Sequence, residues 1–162
     1  MTGEGRRIET TGAAATRALG RRLGAAARPG DLLLLDGPVG AGKTVLADGV
    51  LDGLGVPGPH PSPTFTLVRV YQGRLPAAHV DLYRLAGGSF SEGEIDLPEL
   101  LAAGGVTVVE WAEVLAAGAP DDALHIRLQP GTDPRRRLLA VRAGGPGAAR
   151  WAAALGGRDG TR

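Results

Sequence analysis

The segment Gly37-Pro38-Val39-Gly40-Ala41-Gly42-Lys43-Thr44 constrains this chain more than any other part of it. It satisfies G-x-x-x-x-G-K-[ST], a pattern that requires a strand before it and a helix after it. Upstream, residues 31–36 form a short apolar run bounded by turn residues, which suits a strand buried on both faces of a parallel sheet. Downstream, residues 43–54 read as a helix closed by Gly55 and Pro57. Glycines let the intervening loop curl so that backbone N–H groups converge on an anion, and the helix N-terminus adds positive potential. In that setting Lys43 reaches the β- and γ-phosphates of a nucleotide, and the Thr44 hydroxyl coordinates Mg²⁺. The blander alternative is a glycine turn that merely packs helix on strand. Composition argues against it: of the 18 Lys and Arg residues, Lys43 is the only lysine. Arginine serves everywhere else, and the survivor occupies the slot whose chemistry needs a compact ammonium.

The remaining composition sets bounds. A chain of 162 residues with 43% hydrophobic and 22% charged residues has the length of one domain and the means to bury a core. Without cysteine there is no disulfide framework and no thiolate zinc site, and three scattered His residues make a poor metal cage, so any metal is expected to be oxygen-bound. A net charge of +1 does not by itself argue for nucleic acid. The polar start lacks a signal-peptide core, and no apolar stretch approaches the ~18 residues of a membrane span, so a soluble cytoplasmic protein is expected.

Along the chain, residues 11–28 carry a helical apolar stripe (Ala15, Leu19, Leu23, Ala26) that stops at Pro29-Gly30. Residues 66–71 and 77–82 read as strands, joined as a hairpin through Gln72-Gly73-Arg74. Residues 91–103 read as an acidic-faced helix disturbed by Pro98, and residues 106–109 as a second buried strand ending at Glu110-Trp111. Residues 125–128 and 138–142 suggest a last strand pair around a turn at 130–133. The domain is expected to span residues 1–143. Residues 144–162 then form a tail with one weak helix at 148–155 and a mobile, Gly-rich end.

A metal held by Thr44 needs a second acidic group, and such a group belongs at the C-terminal end of a neighbouring buried strand. Glu110 fits that demand, unless it is only a solvated strand-end residue. Asp81 is the other candidate: it orients an attacking water or assists the metal, unless it simply caps a turn. His79 lies two residues earlier, on the same face as Asp81, and reads as packing. Ser62-Pro63-Thr64-Phe65-Thr66 falls where a γ-phosphate sensor would sit, or is an ordinary loop. Arg84 is a candidate for a charge-stabilising arginine, Arg135-Arg136-Arg137 either contacts a nucleotide or RNA or is a solvated cluster at a strand start, and Trp111 is either core or a reporter of the site.

With these residues assembled, the order Gly-x-x-Gly-Ala-Gly-Lys-Thr (37–44), Ser-Pro-Thr-Phe-Thr-Leu-Val (62–68), His-Val-Asp-Leu-Tyr-Arg-Leu (79–85) and Glu-Trp (110–111) closely resembles the bacterial TsaE family, also called YjeE. The similarity runs from about residue 16 to 142. It implies an ATPase that acts with the TsaD and TsaB proteins in attaching a threonylcarbamoyl group to the adenosine beside the anticodon of tRNAs. The transfer itself would belong to TsaD, so tRNA enters only indirectly. Carried over by position, the ATP cradle falls on Gly40, Ala41, Gly42, Lys43, Thr44 and Val45, the Mg²⁺ ligands on Thr44 and Glu110, and the essential aspartate on Asp81. Lys43, Asp81 and Glu110 are thereby the expected catalytic residues. The start of the first helix and a basic residue after the late strand would also approach the nucleotide, here around Ala13 and Arg135. Pro38 replaces the aspartate usual after the first glycine, residues 12–15 lack the family's hydroxyl and acidic residues, and the loop 87–93 looks different.

The expected fold is therefore a small α/β P-loop domain, a mainly parallel sheet flanked by helices with a short antiparallel addition. The leading expectation is slow, Mg²⁺-dependent ATP hydrolysis serving tRNA modification. Its rivals are a nucleotide-dependent binding module with incidental hydrolysis and a small-molecule kinase.

Overall fold

The computed structural model describes residues 5–60, 67–86 and 95–156. The segments 62–66 and 87–93 lie outside the described residues, as does the end of the tail. Among the described residues, seven strands and four α-helices follow one another along the chain: β1 (Arg6–Thr11), α1 (Gly12–Ala26), β2 (Leu32–Asp36), α2 (Lys43–Gly53), β3 (Val68–Gln72), β4 (Pro76–Asp81), α3 (Leu97–Ala102), β5 (Val106–Glu110), β6 (Leu124–Pro130), β7 (Arg136–Ala143) and α4 (Pro146–Ala152). They build one sheet in the order β1-β7-β6-β2-β5-β4-β3.

The four central strands β6, β2, β5 and β4 run parallel, whereas β1, β7 and β3 join antiparallel. The expectation of a mainly parallel sheet holds for these four central strands, while the antiparallel addition is larger than expected and makes the whole sheet mixed. The reason lies in the connections. A βα unit can return a strand parallel, but the short turns between β3 and β4 and between β6 and β7 can only reverse it. The edge strand β1 was not foreseen either. It pairs with β7, yet being at the edge it carries mostly exposed polar residues and turns only Ile8 and Thr10 inward, so its sequence resembles a polar terminus.

β2 meets its expectation, with Leu32, Leu33, Leu34 and Leu35 all buried. Leu33 and Leu35 join the core beneath α1, α2 and α4, while Leu32 and Leu34 face the second cluster with Leu97 of α3. The two-residue period of a strand divides them between the layers. Pro98 does not disturb α3. It lies in the first turn, where a missing N–H costs no hydrogen bond, and the Asp96 carboxylate caps the helix by accepting from Glu99 N at 3.0 Å. The tail helix begins earlier than its sequence suggests and shares the main core. Trp151 is fully buried and donates from Nε1 to Leu23 O at 2.8 Å.

Because β2, β4, β5 and β6 are parallel, their C-terminal ends share one sheet edge. Leu35 of β2 pairs with Glu110 of β5, which also stands opposite Asp81 of β4. In open α/β sheets this edge is where ligands bind. Among the described residues, no helix is long and apolar enough to cross a membrane.

Candidate functional site

The loop leaves β2 through Gly37, whose φ of +141° brings the backbone so close to β6 that a Cβ would lie 2.3 Å from Leu128 O. It enters α2 through Gly42, a left-handed N-cap with φ of 105°. Both conformations favour glycine. Leu46 N reaches Gly42 O, so the N–H groups of Lys43, Thr44 and Val45 have no intrahelical acceptor. These residues line a cleft of about 440 Å³ together with Val39, Gly40, Gly42, Asp81, Tyr83, Glu110 and Trp111. A wall of donors that lack intrahelical acceptors, at a helix N-terminus, suits an anion.

Lys43 is 95% buried by its neighbours, leaving 5% exposed, and folds back over the loop. Its Nζ donates to Gly37 O at 2.5 Å and Pro38 O at 3.0 Å, and sits 4.3 Å from the centre of the Trp111 ring. Burial lowers the lysine pKa below its ordinary value, against the attraction of Glu110, Glu113, Asp81 and Asp36. Pro38 is exposed and contributes its carbonyl, which also accepts from Ala41 N, so the unusual proline leaves the main-chain role of its position intact. Trp111 is half-buried at φ +60°, a left-handed conformation uncommon for a bulky residue, and its ring packs against Tyr83 at 5.2 Å. That turn in the backbone immediately after Glu110 brings the indole over the lysine.

Opposite the lysine, Thr44 Oγ1 donates to Glu110 Oε1 at 2.8 Å, and Glu110 Oε2 accepts from His79 Nε2 at 2.5 Å. Glu110 is 2% exposed, so it is not a solvated strand-end glutamate. Asp81 is also buried, and its Oδ1 accepts from Tyr83 N at 3.0 Å. It therefore caps the turn that follows β4 and lines the cleft as well. Thr44, Glu110 and Asp81 offer only hard oxygen donors, the set that suits Mg²⁺. Ala13 and Arg135 meet at a second hollow of about 290 Å³, which borders the first along Gly40, Gly42 and Val45 and also contains Thr16, Pro134 and Arg137. Gly12 N donates to Arg135 O at 2.7 Å, tying the start of α1 to the β6–β7 turn. Ala41 is buried beneath the loop rather than lining either hollow.

Comparison with known proteins decides the family. The model of the threonylcarbamoyl adenosine biosynthesis protein TsaE matches residues 10–138. The chain belongs to the TsaE family. Curated TsaE relatives include that of Streptomyces coelicolor, 44% identical over 115 residues spanning 69% of this chain and 77% of the relative. The Bacillus subtilis protein is 36% identical over 130 residues, or 80% of each chain. The crystal structure of YdiB from Bacillus subtilis superposes with a TM-score of 0.81 at 30% identity, covering 96% of both chains.

In this TsaE-family chain, sequence reasoning assembled Lys43, Thr44, Asp81 and Glu110, and missed the parts played by two neighbours, His79 and Tyr83. Arg137, one of the three arginines weighed as a nucleotide contact, donates from its guanidinium to Gly40 O at 3.3 Å. Alternation along β4 did assign His79 to the face of Asp81, but only the register with β5 sets it against Glu110.

Behind the site, Asp48 of α2 and His60 bring two acceptors together. His60 Nε2 lies 3.0 Å from Val56 O and must donate to it, so in the neutral ring Nδ1 is an acceptor, 3.8 Å from Asp48 Oδ1. Both atoms are buried without a hydrogen-bond partner among the described residues. Burial raises the Asp48 pKa above 3.8, with His60 the largest opposing influence. A raised carboxylate pKa means that stability falls as pH climbs from the unfolded value through the folded one. Asp48→Asn removes that loss and supplies an amide donor to His60. It is expected to stabilise the protein by about 1 kcal/mol at pH 7, a gain that disappears below the carboxylate range. Urea melts of both proteins at pH 7 and pH 3 check this.

Proposed function

We propose that this chain is the ATP-binding and ATP-hydrolysing component of the machinery that makes tRNA threonylcarbamoyladenosine, acting in the cytoplasm with TsaD and TsaB. The observation that carries the reading is the buried sole lysine, set in a glycine loop at a helix N-terminus and faced by the Thr44–Glu110 pair.

The N–H groups of Lys43, Thr44 and Val45 would hold phosphate oxygens. Lys43 exchanges the Gly37 and Pro38 carbonyls for the β- and γ-phosphates, and the surrounding carboxylates favour its charged form despite burial. Thr44 and Glu110 would hold Mg²⁺, which when bound neutralises charge on the β- and γ-phosphate oxygens. Asp81 lines the same cleft and, held by Tyr83 N–H, would orient the attacking water. The hollow at Ala13 and Arg135, continuous with the loop, suits the nucleoside end.

A nucleotide that draws Lys43 off Trp111 alters the environment of that indole. Intrinsic fluorescence titrated with ADP and with ATP plus Mg²⁺ is expected to change saturably. Trp111→Phe is expected to lose most of the change, because Trp151 is sealed against Leu23. A response that survives in Trp111→Phe would count against a nucleotide beside Glu110-Trp111.

A second reading, a nucleotide-dependent binding module, draws on Val39 and Tyr83, apolar residues exposed by 74% and 48% at the mouth of the cleft. Phosphate release measured with and without TsaD and TsaB separates the two. Many rounds of tRNA modification without ATP consumption favour the module. A phosphorylated acceptor would instead identify a small-molecule kinase.

A further inference from the structure

His79 reads from sequence as packing, yet its surroundings do not suit a residue that only fills space. Its ring is 1% exposed on β4, between β3 and β5, and its Nε2 lies 2.5 Å from Glu110 Oε2. The carboxylate can only accept, so Nε2 is the donor. Nδ1 is left buried without a hydrogen-bond partner among the described residues. An orphaned polar atom at such depth is a destabilising feature that an apolar side chain of similar volume would avoid.

Glu110 receives two donors, one on each oxygen: Thr44 Oγ1 on Oε1 and His79 Nε2 on Oε2. Two fixed donors on a carboxylate that is 2% exposed determine its rotation about the Cγ–Cδ bond. Remove the histidine, and Oε2 is both unsatisfied and free to turn, taking Oε1 away from Thr44.

We propose that His79 is a positioning residue for Glu110, its Nε2–H locking the carboxylate so that Thr44 and Glu110 present their oxygens together to a divalent cation. The proposal rests on the reading of Thr44 and Glu110 as Mg²⁺ ligands. It parallels the outer-shell hydrogen bonds that orient metal-binding carboxylates, whose loss typically lowers metal affinity about 10–100-fold.

Three variants test it. His79→Gln carries an amide nitrogen at the reach of Nε2, His79→Asn falls short of that reach, and His79→Phe fills the volume with no donor. ADP affinity is measured by fluorescence in EDTA and across a Mg²⁺ titration, and Mn²⁺ bound to the ADP complex is counted by electron paramagnetic resonance. All variants are expected to bind ADP in EDTA like the parent protein. The Asn and Phe variants are expected to need about 10–100 times more Mg²⁺ or Mn²⁺, and Gln to need nearly the parental amount. Saturating Mg²⁺ is expected to restore most of the turnover in Asn and Phe, which a general loss of structure would not allow.

Equal metal dependence in Gln and Asn overturns the proposal. So does a loss of ADP binding in EDTA that follows lowered melting temperature. Should Phe fail to fold, the contrast between Gln and Asn still decides. If the parent protein itself binds ADP no better with Mg²⁺ than in EDTA, the Mg²⁺ reading of Thr44 and Glu110 fails first.

Discussion

Lys43→Ala is expected to reduce ATP turnover by about 10²- to 10³-fold, the usual effect of removing one preorganised donor from a transferring group. The size follows from position. Nζ is the only side-chain ammonium of the chain, and burial strengthens its field at the cleft, because little water lies between it and the phosphates it would meet. The same burial separates the effect on function from the effect on folding. Desolvation lowers the lysine pKa, so in the free protein the charged group is held against a cost, although Glu110 and the other carboxylates offset part of it. The carbonyls of Gly37 and Pro38 belong to a loop that opens on the cleft and can bind water once Nζ is gone. Alanine should therefore melt within a few degrees of the parent while turnover collapses. Single-turnover phosphate release beside thermal melts makes the comparison. Turnover within about tenfold of the parent would mean that Lys43 meets no transferring phosphate, and the proposed chemistry would fall with it.

Much of this site is legible in the sequence because its parts are local. Eight consecutive residues, flanked by a strand run and a helix run, carry the loop, the lysine and Thr44. Glu110 and Asp81 were found by a rule about strand ends, which needs only the position of each strand and not its neighbours. His79 escaped because its role depends on register: β4 beside β5 sets Asp81 opposite Glu110 and leaves His79 within reach of the same carboxylate. The edge strand β1 escaped for another reason. Burial writes the hydrophobic period into a sequence, and a strand with one inward-facing isoleucine and one buried threonine has little burial to record. Pro98 was misjudged because proline breaks a helix interior but fits a first turn, and the first turn is marked by Asp96 two residues before it. The glycines of α1 and α2 were visible throughout, but what they do requires both helices at once.

Gly49→Val is expected to cost about 3 kcal/mol or more. In α1, Gly20 and Gly24 face Gly49 and Gly53 of α2, each four residues apart and so one above the other on its helix. A Cβ built on Gly49 would lie 2.2 Å from Arg17 O and 2.9 Å from the Gly20 Cα. One on Gly24 would lie 2.2 Å from Val50 O. Those obstacles are backbone, which cannot rotate aside as a side chain would, so the helices must separate along their whole contact. Ala14→Val, at an exposed position of α1, isolates the change in helix propensity and should cost less than about 0.7 kcal/mol. For a chain of this length, 3 kcal/mol corresponds to a fall in melting temperature of about 6–12 °C. The separation also has a functional consequence. Ala13 and Thr16 at the start of α1 line one hollow, and Lys43 and Thr44 at the start of α2 line the other, with Gly42 and Val45 shared between them. A wedge between the helices pulls those walls apart, so nucleotide affinity in the folded fraction should weaken together with stability. Equilibrium urea melts and ADP titrations on Gly49→Val and Ala14→Val measure both. A Gly49→Val protein that melts like the Ala14→Val control would mean that the two helices do not meet glycine to glycine.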